Sequence, residues 1–157
     1  MENKIKIFSD GGALGNPGTA ASAFVVYQDG KIIHQFYKKI GNTTNNVAEY
    51  QAVIIALEWL LKQSTLRPEL RARAIKHPLR QSFSEARQQS TINFFLDSEL
   101  VVRQLNGIYK IKDGKMKLLV LRIKSLEQEL GAKIIYSHVR RTENTLADSL
   151  VKKALNV

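Results

Sequence analysis

Four acidic residues that are far apart in the sequence lie where predicted strands and helices begin or end. Asp10 and Asp97 each follow a predicted strand. Glu49 opens a strongly apolar helix, and Asp148 lies in the first turn of a C-terminal helix. Carboxylate oxygens are the ligands that hard divalent cations such as Mg²⁺ and Mn²⁺ prefer. The four acids together therefore indicate a divalent-metal site.

Each acid taken alone also has a structural explanation. Glu49 lies three residues after Asn46, the spacing of a capping box. Asp97 could cap the helix that follows it, and Asp148 could interact favourably with its own helix dipole. Asp10 has no helix behind it. As a set, the acids lie at strand ends or helix starts, the edge where open α/β sheets bind ligands, and this favours the metal site.

The composition limits the classes of partner and chemistry. The chain has 157 residues, a net charge of +10 and no cysteine. The positive charge favours a polyanionic partner, of which nucleic acid fits best. Without cysteine, disulfides, thiolate zinc sites and cysteine nucleophiles are excluded. We expect a cytoplasmic protein, because no signal peptide is evident and the longest apolar stretch, 52–61, is interrupted by Glu58 and too short for a bilayer.

Hydrophobic periodicity and turn signals predict an α/β fold. Apolar and polar residues alternate in the first strands, and Asp29-Gly30 is a strong signal for a tight hairpin. Asp10 is expected to enter a glycine-rich turn, 10–18, and Asn46 to cap the first helix. The predicted strands are 4–9, 20–28, 31–40, 92–96 and 133–139, and the later helices are 98–105, 116–130 and 144–155. The order predicts a mixed five-stranded sheet with three antiparallel strands followed by two parallel ones.

One long connection does not fit this compact arrangement. Residues 64–91 carry six basic and two acidic residues, a charge of +4, and connections of this length are usually functional or unstructured. We expect a single domain, 1–157, with a basic insertion at about 64–91. The insertion either contributes a nucleic-acid-binding surface or is a flexible connection without a role in binding.

Several motifs resemble those of the type 1 ribonuclease H family, in the right order and over nearly the whole chain except 64–91. They are Ser9-Asp10-Gly11-Gly12 with Gly15-Asn16-Pro17-Gly18, Thr43-Thr44-Asn45-Asn46-Val47-Ala48-Glu49, Leu96-Asp97-Ser98, and His138-Val139-Arg140 with Asn144 and Ala147-Asp148. The chain is similar to short prokaryotic members that lack a basic handle. The resemblance implies a ribonuclease H-like sheet with helices on both faces.

The resemblance also implies a function and a mechanism. The expected enzyme is an endonuclease that hydrolyses the RNA strand of RNA–DNA hybrids and leaves 5′-phosphate and 3′-hydroxyl ends. Two Mg²⁺ ions, with Mn²⁺ as an alternative, would activate water and stabilise the leaving oxygen. Asp10 would bridge the ions, Glu49 and Asp97 would complete one site, and Asp148 the other. His138 would assist proton transfer or product release, although a lone histidine at a strand end is more often structural.

Substrate recognition is expected through the shape and backbone of the hybrid, with little base readout. The candidates for RNA-strand contacts are Gly11, Gly12, Asn16 and Asn45, and those for a phosphate or DNA-strand contact are Thr44 and Asn46. Loop geometry and helix capping explain Asn45 and Asn46 equally well.

Two other classes of protein stay open. One is a different nuclease or an integrase-like enzyme on the same scaffold, since fold does not fix function. The other is a catalytically silent nucleic-acid-binding module. The presence of all four acids argues against a silent module, because clustered negative charge would weaken binding to a polyanion. We expect a monomer that binds RNA–DNA hybrid and no membrane.

Overall fold

The computed structural model describes residues 4–66 and 91–157, and a five-stranded mixed sheet forms its centre. The strands lie in the order β3-β2-β1-β4-β5. Strands β1 to β3 are antiparallel. Strand β4 pairs in parallel with β1, and β5 pairs in parallel with β4. The strands are β1 Ile5–Gly15, β2 Gly18–Gln28, β3 Lys31–Thr43, β4 Thr91–Leu96 and β5 Lys133–His138. The predicted mixed sheet is confirmed.

Helices cover both faces of this sheet, as expected. Helices α1, α2 and α3 pack with the buried faces of β1, β2 and β4 in the larger core, around Ile7, Phe24 and Phe94. Helix α4 packs on the other face against small residues of β2 such as Ala21 and Ala23. The helices are α1 Asn45–Leu66, α2 Glu99–Leu105, α3 Gly114–Leu130 and α4 Thr145–Leu155, with a short 3₁₀ turn at Arg141–Glu143.

The ends of several elements follow local chemistry that the sequence shows. Asp29 and Gly30 have φ angles of 51° and 78°, as the predicted tight hairpin between β2 and β3 requires. Ser98 caps α2 by accepting a hydrogen bond from the backbone of Val101. Gly131 ends α3 in the left-handed region with φ 66°.

Two local predictions are wrong. Asp10 does not end its strand, because β1 continues to Gly15 and pairs with β2 along its whole length. Asn46 does not cap α1, because that helix begins at Asn45. The cap is Thr44, whose Oγ1 accepts a hydrogen bond from the backbone N–H of Val47 at 3.3 Å. Glycine tolerates extended backbone as readily as a turn, so glycine-rich sequence alone does not locate the end of a strand.

The basic insertion predicted at 64–91 lies almost entirely outside the residues that the structure describes. Within the part that is described, α1 runs on to Leu66 and β4 begins at Thr91. No helix in the described ranges is long and apolar enough to cross a membrane.

Candidate active site

The register of the parallel strands places Asp10 and Asp97 side by side. Ser9 of β1 pairs with Leu96 of β4, which is the last pair between these strands. Asp10 follows Ser9 and Asp97 follows Leu96, so both carboxylates lie where β4 has ended and β1 continues. This is the open edge at the carboxyl ends of the parallel strands, where α/β sheets bind ligands.

Glu49 reaches the same point from α1 because the start of that helix is held close to β1. A β-carbon on Gly11 would lie 2.1 Å from the carbonyl carbon of Ala48, so only glycine permits this approach. Ser22 Oγ on β2 donates a hydrogen bond to the carbonyl oxygen of Ala48 at 2.7 Å. The glycine and this hydrogen bond together fix the position of Glu49 over the sheet.

Asp10, Glu49 and Asp97 form one carboxylate cluster. One oxygen from each lies within 4.8 Å of the others, and Asp10 and Glu49 are only 5% and 6% exposed. Burial, together with the charge of Asp97, raises the pKa of Asp10 to about 7. Burial and then the charges of Asp10 and Asp97 raise the pKa of Glu49 well above its ordinary value. The fold therefore holds acids where their charged forms are costly, a common property of functional sites.

The cluster fits a hard divalent cation. Glu49 Oε2 is buried and has no hydrogen-bond partner within residues 4–66 and 91–157, so it offers an acceptor for a cation. The three side chains supply only carboxylate oxygens, the donor type that Mg²⁺ and Mn²⁺ select. A cation at this point would offset both the desolvation and the mutual repulsion of the acids.

Asp148 lies beside this cluster rather than within it. Its charge contributes to the raised pKa of Asp10, which shows that the two groups interact. Its carboxylate is bound by Lys152 Nζ at 2.7 Å and lies 3.6 Å from the guanidinium of Arg141. The expectation that Asp148 completes a second metal site therefore stays a prediction.

His138 ends β5 next to the same edge of the sheet. It pairs in register with Leu96, the residue before Asp97, and its side chain is exposed. The following backbone bends toward α4, where the buried Asn144 donates a hydrogen bond from Nδ2 to the carbonyl oxygen of Ser9 at 2.9 Å. This bond ties the start of α4 to β1 one residue before Asp10, and so positions Asp148.

The candidate substrate residues divide into two groups. Asn45 Oδ1 accepts a hydrogen bond from the backbone of Ala13 at 2.8 Å, and Asn16 Oδ1 accepts one from the backbone of Asn45 at 3.0 Å. Thr44 caps α1. These three side chains therefore have structural roles, and the residues Asn16 and Asn45 are exposed. Asn46 is exposed, and Gly11 and Gly12 are partly exposed on β1.

Sequence reasoning missed the residues that hold the acids in place. Asn144 was identified only as part of a motif, and Arg141 and Lys152 were not singled out. The spacing of Asp148 and Lys152, four residues apart on a helix, was the available signal for their ion pair. No local pattern shows that Asn144 reaches a backbone carbonyl 135 residues earlier in the chain.

Gly11→Ala is expected to displace α1 and with it Glu49. The new β-carbon would lie 2.1 Å from Ala48 C and 2.4 Å from Glu49 N, so the backbone must move. We expect a loss of about 1–3 kcal/mol of stability from overpacking and a loss of about 100-fold in activity from the misplaced carboxylate. Urea unfolding and nuclease assays measure both effects.

Gly12→Ala is the matched stability control. Its β-carbon would meet only Val151 Cγ1 at 3.4 Å, an ordinary contact. Equal destabilisation by the two substitutions would contradict the close approach of α1 to Gly11.

Comparison with known proteins agrees with this geometry. A family model described as RNase H matches residues 2–156. Ribonuclease HI of Halobacterium salinarum is 31% identical over 154 residues, which are 98% of this chain and 65% of that protein. A bifunctional protein of Mycobacterium tuberculosis is 29% identical over 155 residues, which are 98% of this chain and 36% of the relative. The chain thus spans about a third of the length of the mycobacterial relatives.

A solved structure extends the comparison to the fold. LC11-RNase H1, isolated from compost by a metagenomic approach, was solved in complex with an RNA/DNA hybrid. It is 34% identical, superposes with a TM-score of 0.78, and the match covers 98% of this chain and 97% of that one. These findings confirm the resemblance to type 1 ribonucleases H. The chain belongs to the RNase H family.

Proposed function

We propose that this protein is an endonuclease that hydrolyses the RNA strand of RNA–DNA hybrids in a divalent-metal-dependent reaction. The observation that carries the proposal is the buried cluster of Asp10, Glu49 and Asp97, with one oxygen of each within 4.8 Å of the others. Family membership and the hybrid complex of LC11-RNase H1 support the choice of substrate. The finer proposal includes two metal ions and products with 5′-phosphate and 3′-hydroxyl ends.

The chain provides the charge that such a reaction needs. Two Mg²⁺ ions, or Mn²⁺ in their place, would when bound supply a nucleophilic water at neutral pH and stabilise the leaving oxygen. The charges of both Asp97 and Asp148 act on Asp10, which suits Asp10 to serve both ions. Glu49 and Asp97 would hold one ion and Asp148 the other.

Asp148 is already paired with two basic side chains of the protein. Lys152 and Arg141 bind its carboxylate, and its side chain is 17% exposed. These cations hold the carboxylate in one orientation beside the cluster.

The residues around the cluster are suited to reading a backbone rather than bases. Gly11 and Gly12 are partly exposed on β1 beside the cluster, so a nucleic-acid strand can reach this part of the strand. Asn16, Asn45 and Asn46 are exposed and lie near the start of α1. Such groups can donate hydrogen bonds to 2′-hydroxyls and phosphates across a wide minor groove.

We propose that His138 takes part in proton transfer or product release. His138→Ala is expected to lower kcat by about 10- to 100-fold, because general acid–base groups typically contribute at least that much. Steady-state cleavage of a labelled hybrid by the wild type and the variant measures the effect. Lys133→Ala, an exposed change on the same strand, is the control. An unchanged kcat would make His138 structural.

The proposed substrate is tested with four duplexes of one sequence. The panel contains an RNA–DNA hybrid labelled on the RNA strand, the same hybrid labelled on the DNA strand, double-stranded RNA and double-stranded DNA. We expect internal cuts in the RNA strand of the hybrid. The products should carry 5′ phosphates that a phosphatase removes and 3′ hydroxyls that a polymerase can extend. Cleavage of the DNA strand or of double-stranded DNA would favour another nuclease on the same scaffold.

A further inference from the structure

A second polar surface of the molecule lies where the last turn of α4 meets the edge strand β3. It is formed by Tyr37, Lys38 and Lys39 of β3 together with Lys153, Ala154 and Asn156 at the end of α4. We call it the β3–α4 lysine patch. None of its residues is among the candidate site residues described above.

The patch is built on ordered elements. Tyr37 and Lys39 pair in register with Ala23 and Ala21, which lie in the core beneath α4. Lys153 Nζ lies 5.4 Å from the centre of the Tyr37 ring, a cation–π contact that holds the ammonium group over the seam between strand and helix. The lysines therefore stand on a strand and a helix that pack against each other.

The charge of the patch is entirely positive. Its three lysines have no acidic side chain beside them in the patch lining. Within residues 4–66 and 91–157, none of the three forms an ion pair. Asp148, which lies on the same helix, is already bound by Lys152 and Arg141. Uncompensated cations on a fixed surface are the complement of a phosphate backbone.

The sheet register places the patch two strands away from the carboxylate site. Asp10 of β1 pairs with Ala23 of β2, and Ala23 pairs with Tyr37 of β3. Because neighbouring strands are about 4.8 Å apart, Asp10 and Tyr37 are roughly 10 Å apart across the sheet. Helix α4 packs on β2 between them and directs Asp148 and Lys153 to different sides, since residues five apart on a helix differ by about 140° in direction. The carboxylate site and the patch therefore lie close together on either side of α4.

We propose that the β3–α4 lysine patch binds the phosphate backbone of the hybrid a few base pairs from the cleaved bond. This inference rests on the proposed function. Phosphates along a strand follow one another every few ångströms, so a backbone that enters the carboxylate site reaches the patch within a short length of duplex. The contact positions the duplex without reading its sequence.

The test compares two triple variants that remove the same charge. The patch variant is Lys38→Ala/Lys39→Ala/Lys153→Ala. The control is Lys6→Ala/Lys31→Ala/Lys133→Ala, three exposed lysines at the opposite end of the sheet. Binding of a fluorescent hybrid of about 20 base pairs is followed by anisotropy in chelator across a range of salt concentrations. Circular dichroism checks that both triple variants are folded. If the patch variant is not folded, the single variant Lys153→Gln is used in its place.

The patch variant is expected to bind at least about tenfold more weakly, with a slope of log affinity against log salt reduced by about 2 to 3. The slope for the control should differ from the wild-type slope by no more than about 1, the change expected for one lost phosphate contact. Equal shifts in the two variants, or no shift in either, would overturn the inference. Cleavage by the wild type is measured in parallel: if it cleaves and the patch variant binds normally, only the patch inference fails. If the wild type does not cleave while the patch variant loses binding, the proposed function is wrong but the patch does bind the hybrid.

Discussion

Asp10→Asn is expected to abolish cleavage and at the same time to stabilise the metal-free protein. The amide cannot provide the charge that the proposed metal ligand needs, so we expect activity to fall by about 1,000-fold or more, about 4 kcal/mol in the barrier. Burial and the charge of Asp97 raise the pKa of Asp10 to about 7, so ionising this group costs free energy in the folded state. Removing that cost should add about 1–3 kcal/mol to the free energy of unfolding at pH 8.

The two effects are measured on the same preparation. Urea unfolding in chelator gives the stability, and hydrolysis of a labelled hybrid in Mg²⁺ gives the rate. Asp29→Asn is the control, because Asp29 is an exposed hairpin residue whose left-handed backbone asparagine also adopts. A variant that loses both activity and stability would show that Asp10 is structural and that the cluster is not a site of electrostatic strain.

The metal-free wild type is expected to lose stability as the pH rises from about 4 to about 8. The pKa of Asp10 is about 7 in the folded protein and 3.8 when unperturbed. Between these values the folded state keeps a proton that the unfolded state has lost, so the stabilisation is fully present below 3.8 and disappears as the pH passes through 7. Glu49, whose pKa is also raised by burial, acts in the same direction.

Mg²⁺ should reverse this loss at pH 8, because it binds the ionised carboxylates of the folded state. A ligand at 100 times its dissociation constant adds about 2.7 kcal/mol. The difference between wild type and Asp10→Asn is the quantity to follow across pH, since titrating groups that do not interact with Asp10 cancel in it. A pH-independent difference, or equal stabilisation of both proteins by Mg²⁺, would contradict the predicted metal linkage.

The sequence was sufficient for the sheet because its strands carry strong local signals. Alternating apolar residues mark β1, and Asp29-Gly30 permits a single kind of tight turn between β2 and β3. The extension of β1 through Gly11 could not be read in the same way. It depends on pairing with Ser22 and on the packing of α1, and both are tertiary contacts that glycine accepts without a preference of its own.

The candidate site was predictable in part for the same reason. Asp10 and Asp97 follow residues that must pair in a parallel sheet, so strand order alone brings them together. Glu49 was a candidate because it opens an apolar helix, but the depth of that helix over the sheet is set by Gly11, which no local pattern shows. The ion pairs of Asp148 with Lys152 and Arg141 depend on how a short 3₁₀ turn leads into α4, which periodicity does not show.

The most direct test of the central claim is cleavage of a hybrid labelled on its RNA strand, by the wild type and Asp97→Asn, with and without Mg²⁺. Asp97 is the member of the cluster contributed by β4, and its carboxylate lies within 4.8 Å of Asp10 and Glu49. Our account predicts internal cuts in the RNA strand that require the metal and vanish in the variant. Undiminished cleavage by Asp97→Asn, or no cleavage by folded wild type in either Mg²⁺ or Mn²⁺, would contradict it.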